Sequence, residues 1–266
     1  MPHILITNDD GVLSPGLGAL LAPLREVGEV HVLAPHANRS AVARALTIHQ
    51  PLHVRRVDLP DGTAATSCDG TPVDCVRLAA LGVLGIVPDA VVSGINHGVN
   101  MGDDVTYSGT VGAALEGLMC GWFAVGVSCE ARGEPADRWS GDAFDFGPVA
   151  ASVARLVDAG LRGDVPREYA YNVNSPAELS SNPPVMTATR LGRRIYNDEL
   201  MPHPPGADGV YYDIYNARPG HHDEEGTDFA AHVRGEISVT PLHLSITAHE
   251  GMDALRAGLA TTGMSA

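Results

Sequence analysis

Residues 3–11 read His3-Ile4-Leu5-Ile6-Thr7-Asn8-Asp9-Asp10-Gly11. A short apolar run ends in a polar turn that carries two adjacent acids. A run this brief and this apolar reads as a buried strand, too short for a helix. In open α/β sheets, ligands gather beyond the carboxyl ends of the strands. Two carboxylates there would repel a bare phosphate, but they suit a hard divalent cation placed between acids and phosphate. The plain alternative is a helix N-cap followed by a turn residue. Which reading holds depends on what the other strand ends offer.

Strand-like and helix-like segments alternate onward from this turn. Residues 17–27 have helical spacing, with Leu17, Leu20, Leu21 and Leu24 on one side. Val30, Val32 and Ala34 form a second strand that Pro35 stops. Residues 72–84 read as a helix with Pro72 near its start. Residues 89–93 are a buried strand, 110–120 a helix of small residues, 123–128 a strand, 148–161 a helix and 169–174 a strand. This alternation predicts an α/β fold with a doubly wound, mostly parallel, Rossmann-like sheet over residues 1–176.

After Pro176 the texture changes, and Pro, Asn, Tyr and His become frequent. Residues 185–190 and 209–215 are strand-like, with long loops between them. Loops that long do not belong inside a compact core. Residues 177–266 are therefore expected to form an arm of hairpin and helix outside the core. Its last strand (237–240) and helix (252–259) return to that core.

The chain has 266 residues and a net charge of −15, from 32 acids against 17 bases, and all those bases are arginine. Without lysine there is no Walker-A lysine and no Schiff base. The acidic balance argues against a nucleic-acid polymer or an anionic membrane as partner. No apolar stretch reaches transmembrane length. Cys68, Cys75, Cys120 and Cys129 contain no C-x-x-C pair and read as free thiols. Together with the absence of a visible leader, they predict a cytoplasmic protein.

The remaining strand ends are polar as well. The second strand runs into Ala34-Pro35-His36-Ala37-Asn38-Arg39-Ser40. The strand beginning at Asp89 runs into Ser93-Gly94-Ile95-Asn96-His97-Gly98-Val99-Asn100. Ser108-Gly109-Thr110 immediately precedes a helix, where hydroxyls and helix-start N–H groups form an anion site. Three loops at one sheet edge thus offer oxygen ligands, and a fourth offers a phosphate cradle.

LITNDDGVLSPG, APHANRS, CDGTPVDCVRLA, VVSGINHGVNMGDDVTYSGTVGAALEG, YNVNSP, TRLGRRIY and GTDFAAHVRGEISVTPLHLSITAH occur in this order. Together they resemble the SurE family of metal-dependent nucleoside monophosphate phosphatases, across nearly the whole chain. The resemblance implies Asp9, Asp10, Ser40 and Asn96 as metal ligands. It implies Asn100, Ser108, Gly109 and Thr110 around the phosphate, and His249 near the active site. It also implies homodimers or tetramers that exchange the C-terminal arm. In one place the chain departs from the family. Family members carry glycine and small hydroxylated residues after the loop serine, whereas this chain has Ser40-Ala41-Val42-Ala43-Arg44-Ala45. A stiffer, more apolar loop is expected there.

The expected reaction is hydrolysis of nucleoside 5′- or 3′-monophosphates by an acid-phosphatase-like phosphomonoester hydrolase. Oxygen donors favour Mg²⁺ or Mn²⁺ over zinc, and Asp9 is placed to orient or deprotonate the attacking water. The alternative is a non-catalytic nucleotide-binding sensor on the same fold. A haloacid-dehalogenase scheme lacks its nucleophile, because Asn8 stands at the first acid's position. A dinucleotide fold lacks the third glycine after Gly16 and Gly18. Plainer roles suit the other polar clusters: a loop brace for Asp103 and Asp104, loop packing for His97, capping for Asp69 and Asp74, a solvated loop for residues 221–225 and ion pairing for Arg193 and Arg194.

Overall fold

The computed structural model describes residues 1–133, 143–196, 199–204, 206, 209–214 and 219–262. Its centre is a nine-stranded sheet. The first strand, β1 (His3–Thr7), pairs in parallel with β2 (Glu29–Pro35) on one side and β5 (Ala90–His97) on the other. Beyond β2 lies β4 (Ala64–Cys68), parallel to it, and then β3 (Val54–Asp58), antiparallel at the edge. Beyond β5 come β6 (Phe123–Cys129) and β7 (Ala170–Ser175), both parallel. All residues of β6 and β7 are buried, as expected where helices cover both faces of a parallel sheet.

The helices are local solutions to burying one stripe. In α1 (Pro15–Arg25) the side chain of Ser14 caps the start, Pro15 sits in the first turn, and Leu17, Leu20, Leu21 and Leu24 face inward. With α4 (Gly147–Arg162) it covers the face that carries Ile4, Ile6, Val92, Val125 and Val173. The opposite face, with Leu5, Leu33, Val91 and Ala124, is covered by α2 (Pro72–Ala80) and α3 (Gly109–Met119). Alternate residues of each strand therefore serve different cores. The chain leaves β1 for β2 on one side and returns to β5 on the other, so the topological switch point lies between β1 and β5. There the crevice opens beyond the strand ends.

The sheet has additions that periodicity did not predict. The β3–β4 hairpin follows a long irregular loop and extends one edge. The strand expected over 89–93 continues to His97, with a register shift between Ser93 and Asn96. This carries Asn96 to the sheet's rim instead of leaving it in a free loop.

The C-terminal stretch divides in two. β8 (Met186–Ala188) and β13 (Ile237–Leu242) join the main sheet, β13 lying antiparallel to β7 and parallel to β8. Helix α5 (Asp228–Val233) packs beside β13, with Asp228, Phe229 and Ala231 buried. The rest forms two-residue pairings: β9 (Arg194–Ile195) with β12 (Gly220–His221), and β10 (Met201–Pro202) with β11 (Tyr212–Asp213). Of the strand expected over 209–215, Tyr212 and Asp213 pair in β11 and Gly209 forms an isolated bridge with Gly206; Tyr215 lies outside the described residues. The final helix, α6 (Met252–Thr261), has the expected position in sequence, but none of its residues is buried. The strand joins the main sheet, whereas α6, with Met252, Leu255 and Leu259 on one side, leaves that side at least partly exposed. No helix among the described residues is long and apolar enough to cross a membrane.

Candidate active site

A cleft of about 270 Å³ opens at the switch point, lined by Asp9, Ser40, Asn96, Asn100, Tyr107 and Ser108 among others. They come from four corners: Asp9 from the turn after β1, Ser40 from the loop after β2, Asn96 and Asn100 from the end of β5 and the loop beyond it, and Tyr107 and Ser108 from the start of α3. The Asn8-Asp9-Asp10-Gly11 turn is tied from inside. Asn8 Nδ2 donates to Gly11 O (2.9 Å) and to Ser14 Oγ (2.7 Å), and Gly11 N donates back to Asn8 Oδ1 (3.2 Å). Asn8 is fully buried, so the position that would be a nucleophile in a dehalogenase scheme is a strut.

Asp9 is 3% exposed. Its carboxylate accepts from Thr110 Oγ1 (2.6 Å) and Thr110 N (3.1 Å) at the start of α3. Burial pushes its carboxyl up to about 6; the Thr110 hydroxyl opposes this and the charge of Asp10 adds to it. Asp10 is also raised by burial, and the His97 N–H donated to its Oδ2 (3.1 Å) works the other way. Asn38 Nδ2 lies 3.4 Å from Asp10 Oδ1. Among the described residues no arginine lines the cleft. Buried Asp9 and half-buried Asp10, which have no arginine partner among the described residues, together with carboxamide and hydroxyl oxygens, are a donor set for a hard divalent cation. The residues present fit such an ion.

Asn100 is held by a lattice of amides. Asn100 N donates to Asn174 Oδ1 (2.7 Å), and its Nδ2 donates to Ser128 Oγ (2.8 Å). Its carbonyl accepts from Asn172 Nδ2 (2.8 Å) and Asn174 Nδ2 (3.1 Å). Asn96 Nδ2 donates to Gly98 O (2.7 Å), and this orients the amide.

At the α3 start, Ser108 Oγ caps the helix by accepting from Val111 N (3.1 Å). That bond leaves the Ser108 hydroxyl proton for a phosphoryl oxygen. The Thr110 hydroxyl is committed to Asp9, so Thr110 belongs to the carboxylate half of the cleft, although its place in sequence suggested the cradle. Gly109 allows the two halves to touch: a Cβ there would sit 2.9 Å from Asp9 Oδ2 and 3.0 Å from Asp9 Cβ.

The loop after Ser40 is pinned. Ala43 N donates to Tyr107 O (3.0 Å), and Thr71 Oγ1 donates to Ala45 O (2.8 Å). Asp74 accepts from Thr47 N (2.9 Å) and Thr47 Oγ1 (2.6 Å) while completing the capping box of α2. Arg44 reaches the buried Glu116 of α3 (2.7 Å), which Arg77 also approaches at 2.5 Å as a charge contact without an aligned hydrogen bond. Ala41 (φ 58°) and Ala43 (φ 52°) hold left-handed backbone, where glycine is at ease. Ser40 itself is exposed at the rim.

His249 is exposed in a short 3-10 turn and does not line the cleft of its own chain. His97 stacks on Phe144 and Phe146 (4.7 and 5.4 Å between ring centres), and burial pushes its imidazole down. Asp103 and Asp104 brace the arm: Arg194 N donates to Asp103 Oδ2 (2.7 Å), and Arg194 pairs with Asp104 (2.6 Å). Arg193 pairs with Glu224. Sequence reading missed Glu116, Ser128, Asn172, Asn174 and Asp228. Each left a trace: a lone acid in a helix of small residues, or amides and hydroxyls alternating along fully buried strands. Asp228 accepts from Gly102 N (2.7 Å) and Gly192 N (2.8 Å), joining the loop after Asn100 to the arm.

The family model described as Survival protein SurE matches residues 4–198. A 5′-nucleotidase SurE from Rubrobacter xylanophilus is 48% identical over 258 residues, covering 95% of this chain and 96% of its own length. A 5′-nucleotidase SurE from Chloroflexus aggregans is 44% identical, covering 96% of this chain and 98% of its own length. Among solved structures, the SurE protein from Aquifex aeolicus superposes with a TM-score of 0.76 at 34% identity, over 96% of this chain and 99% of that one.

Proposed function

The chain belongs to the SurE family, and from that premise we propose that it is a divalent-metal-dependent nucleotidase that hydrolyses nucleoside monophosphates to nucleoside and phosphate. The observation that carries this reading is the buried Asp9, hydrogen-bonded to the N-terminus of α3 at the wall of one cleft, with half-buried Asp10 beside it. Relatives that carry the name 5′-nucleotidase support turnover over the sensor alternative.

In this reading Asp9, Asp10, Asn96 and Ser40 hold the cation, which is Mg²⁺ or Mn²⁺ by its oxygen donors. A cation bound there supplies Lewis-acid polarisation of the phosphoryl oxygen and a lowered pKa for a nearby water. Thr110 keeps Asp9 in one orientation with both its hydroxyl and its N–H. Asp9 orients the attacking water and takes its proton. Ser108, Gly109 and Asn100 receive the equatorial phosphoryl oxygens as negative charge grows in the transition state. Pro219, from the arm, closes the rim of the cleft.

Residues 1–176 are the catalytic unit in this proposal and 177–266 the oligomerisation arm. The exposed apolar side chains of the arm pack against a second copy in a dimer or tetramer, and His249 reaches a cleft only through that assembly. The free thiols suit a cytoplasmic site of action. The deciding assay is phosphate release from a panel of 5′- and 3′-nucleoside monophosphates, with added Mn²⁺ or Mg²⁺ and after chelation. Turnover that chelation abolishes and either ion restores is expected. Turnover indifferent to chelation would sink the metal reading, and tight nucleotide binding without turnover would favour the sensor.

A further inference from the structure

The far end of the sheet carries a second cluster with different chemistry. His3 begins β1; Glu29 and His31 begin β2. His3 is in register with Glu29, and Leu5 with His31. Period-two alternation therefore puts all three side chains on one face, the face that Leu5 and Leu33 turn toward α2 and α3. His3 Nδ1 lies 3.1 Å from His31 Nε2 and 3.5 Å from Glu29 Oε2, and His31 Nε2 lies 3.7 Å from Glu29 Oε1. In a tetrahedral zinc site with metal–nitrogen bonds of 2.0–2.1 Å, neighbouring donors are separated by about 3.3 Å. The two imidazole nitrogens already stand about that far apart, and each lies within 3.7 Å of one oxygen of the Glu29 carboxylate, so that one donor atom from each of the three residues falls within 4.8 Å of the others. Among the described residues they are the one group of three or more His, Cys, Asp or Glu side chains whose ligand atoms converge this closely.

The surroundings favour ligation. The His31 side chain keeps 18% of its exposure and that of His3 32%, so both rings are constrained by packing, while Glu29 at 59% gives an ion a way in from solvent. His3 N donates to Asp89 Oδ2 (2.8 Å), fixing the strand start that bears the first ligand.

We propose that His3, Glu29 and His31 form a second metal site, selective for a borderline ion of the Zn²⁺ class, with its fourth position open to water. It is chemically distinct from the cleft. Two imidazoles and one carboxylate prefer Zn²⁺, Co²⁺ or Cu²⁺, whereas the all-oxygen cleft prefers Mg²⁺ or Mn²⁺. The two sites are separated by the length of β1, about 20 Å for six extended residues from His3 to Asp9. An ion at the far end ties the starts of β1 and β2, the pair whose other ends carry Asp9 and Ser40.

Co²⁺ spectroscopy on the full chain, stripped of metal with a chelator, tests this independently of nucleotide turnover. Tetrahedral Co²⁺ absorbs strongly in the visible, whereas six-coordinate Co²⁺ in an oxygen site absorbs weakly. The expected result is an intense band that saturates at one equivalent, is displaced by Zn²⁺ and persists in Asp9→Asn. His31→Gln and Glu29→Gln should each weaken binding at least about tenfold. Glu29→Gln alters an exposed side chain, so it keeps the test valid should His31→Gln unfold. Zn²⁺ alone should also raise the Tm of the wild type and not that of Glu29→Gln. The proposal is overturned if the wild type gives no intense band, if the band survives in both variants, or if Asp9→Asn abolishes it. The pair His3–His31 would then be a hydrogen bond and nothing more.

Discussion

Strand β7 and the paired segments β10 and β11 each set a tyrosine beside residues that disfavour strands, Asn172 and Asn174 in one and Pro202 and Asp213 in the other, yet they have opposite fates. Every residue of β7 is buried, including Tyr171 and Val173. Every residue of β10 and β11 is exposed, and around them Leu200 (64%), Tyr211 (60%) and Ile214 (65%) face solvent. Composition does not separate them. β7 lies between β6 and β13 with helices over both faces, whereas among the described residues β10 and β11 pair as strands only with each other. The polar cleft lies where the chain satisfies itself. Apolar surface is left where it does not, and each such side chain is worth about 1.5–3 kcal/mol once buried.

If this division is real, damage to one region should spare the other. Asp9→Asn is expected to have the largest effect, cutting kcat/KM by several orders of magnitude while leaving oligomeric state and fold intact. Near-normal turnover in that variant would break the assignment of the cleft. Thr110→Val and Ser108→Ala come next. Each loses hydrogen bonds to a charged partner, worth about 1.5–3 kcal/mol and hence roughly 10- to 100-fold in kcat/KM. They should differ in calorimetry without substrate: Thr110→Val weakens Mn²⁺ binding because its hydroxyl holds Asp9, and Ser108→Ala leaves it unchanged. Equal metal affinities in the two variants would break the link between Thr110 and the carboxylate.

Acidity sharpens the contrast further. The Asp9 carboxyl is raised from 3.8 to about 6 in the fold. Its contribution to stability is therefore fully present below about 3.8 and is lost as pH rises through about 6. The difference amounts to roughly 3 kcal/mol against the metal-free protein at neutral pH. Metal needs the ionised form, so Mn²⁺ affinity should fall up to about tenfold per pH unit below 6. A pH-independent affinity between 5 and 7 argues against Asp9 as a ligand. Arm substitutions should do the reverse of Asp9→Asn. Tyr212→Ser with Ile214→Ser should shift light scattering toward the monomer without moving Mn²⁺ affinity; an unchanged oligomer would place the subunit contact elsewhere. The smallest expected effect is at Ala43, where glycine relieves left-handed backbone at some cost in unfolded-state entropy. Ala43→Gly should change stability by no more than about 1 kcal/mol, read as the midpoint of a urea melt.

The sequence was most legible where one strand period or one helix period sufficed. Strands β1, β2, β6 and β7, helices α1, α3 and α4, and the acids of residues 8–11 follow from local pattern alone. It was least legible where long-range pairing decides the outcome. The β3–β4 hairpin contains Arg55, Arg56 and Thr66 in place of an apolar alternation, so register with β2 makes it a strand and propensity does not. At the cleft, residue types pointed to the loops that the fold brings together, with Asp9, Ser40, Asn96 and Ser108 on one wall, but not to which hydroxyl goes to which half. The commitment of Thr110 to Asp9 depends on how closely α3 approaches the β1 turn, and no spacing within either segment encodes that approach.

The position of β13 has a consequence for the order of events during synthesis. This strand lies between β7 and β8, hydrogen-bonded to β7 along five residue pairs from Ser238 to Leu242. Until residues 176–236 have been made, β7 has nothing on its outer edge, and a bare strand edge invites pairing with other chains. The nascent catalytic half must therefore wait, with its nucleotide cleft nearly assembled and one flank open. A ribosome that stalls within the arm would release a species prone to sticking, so the last strand also seals the fold against aggregation.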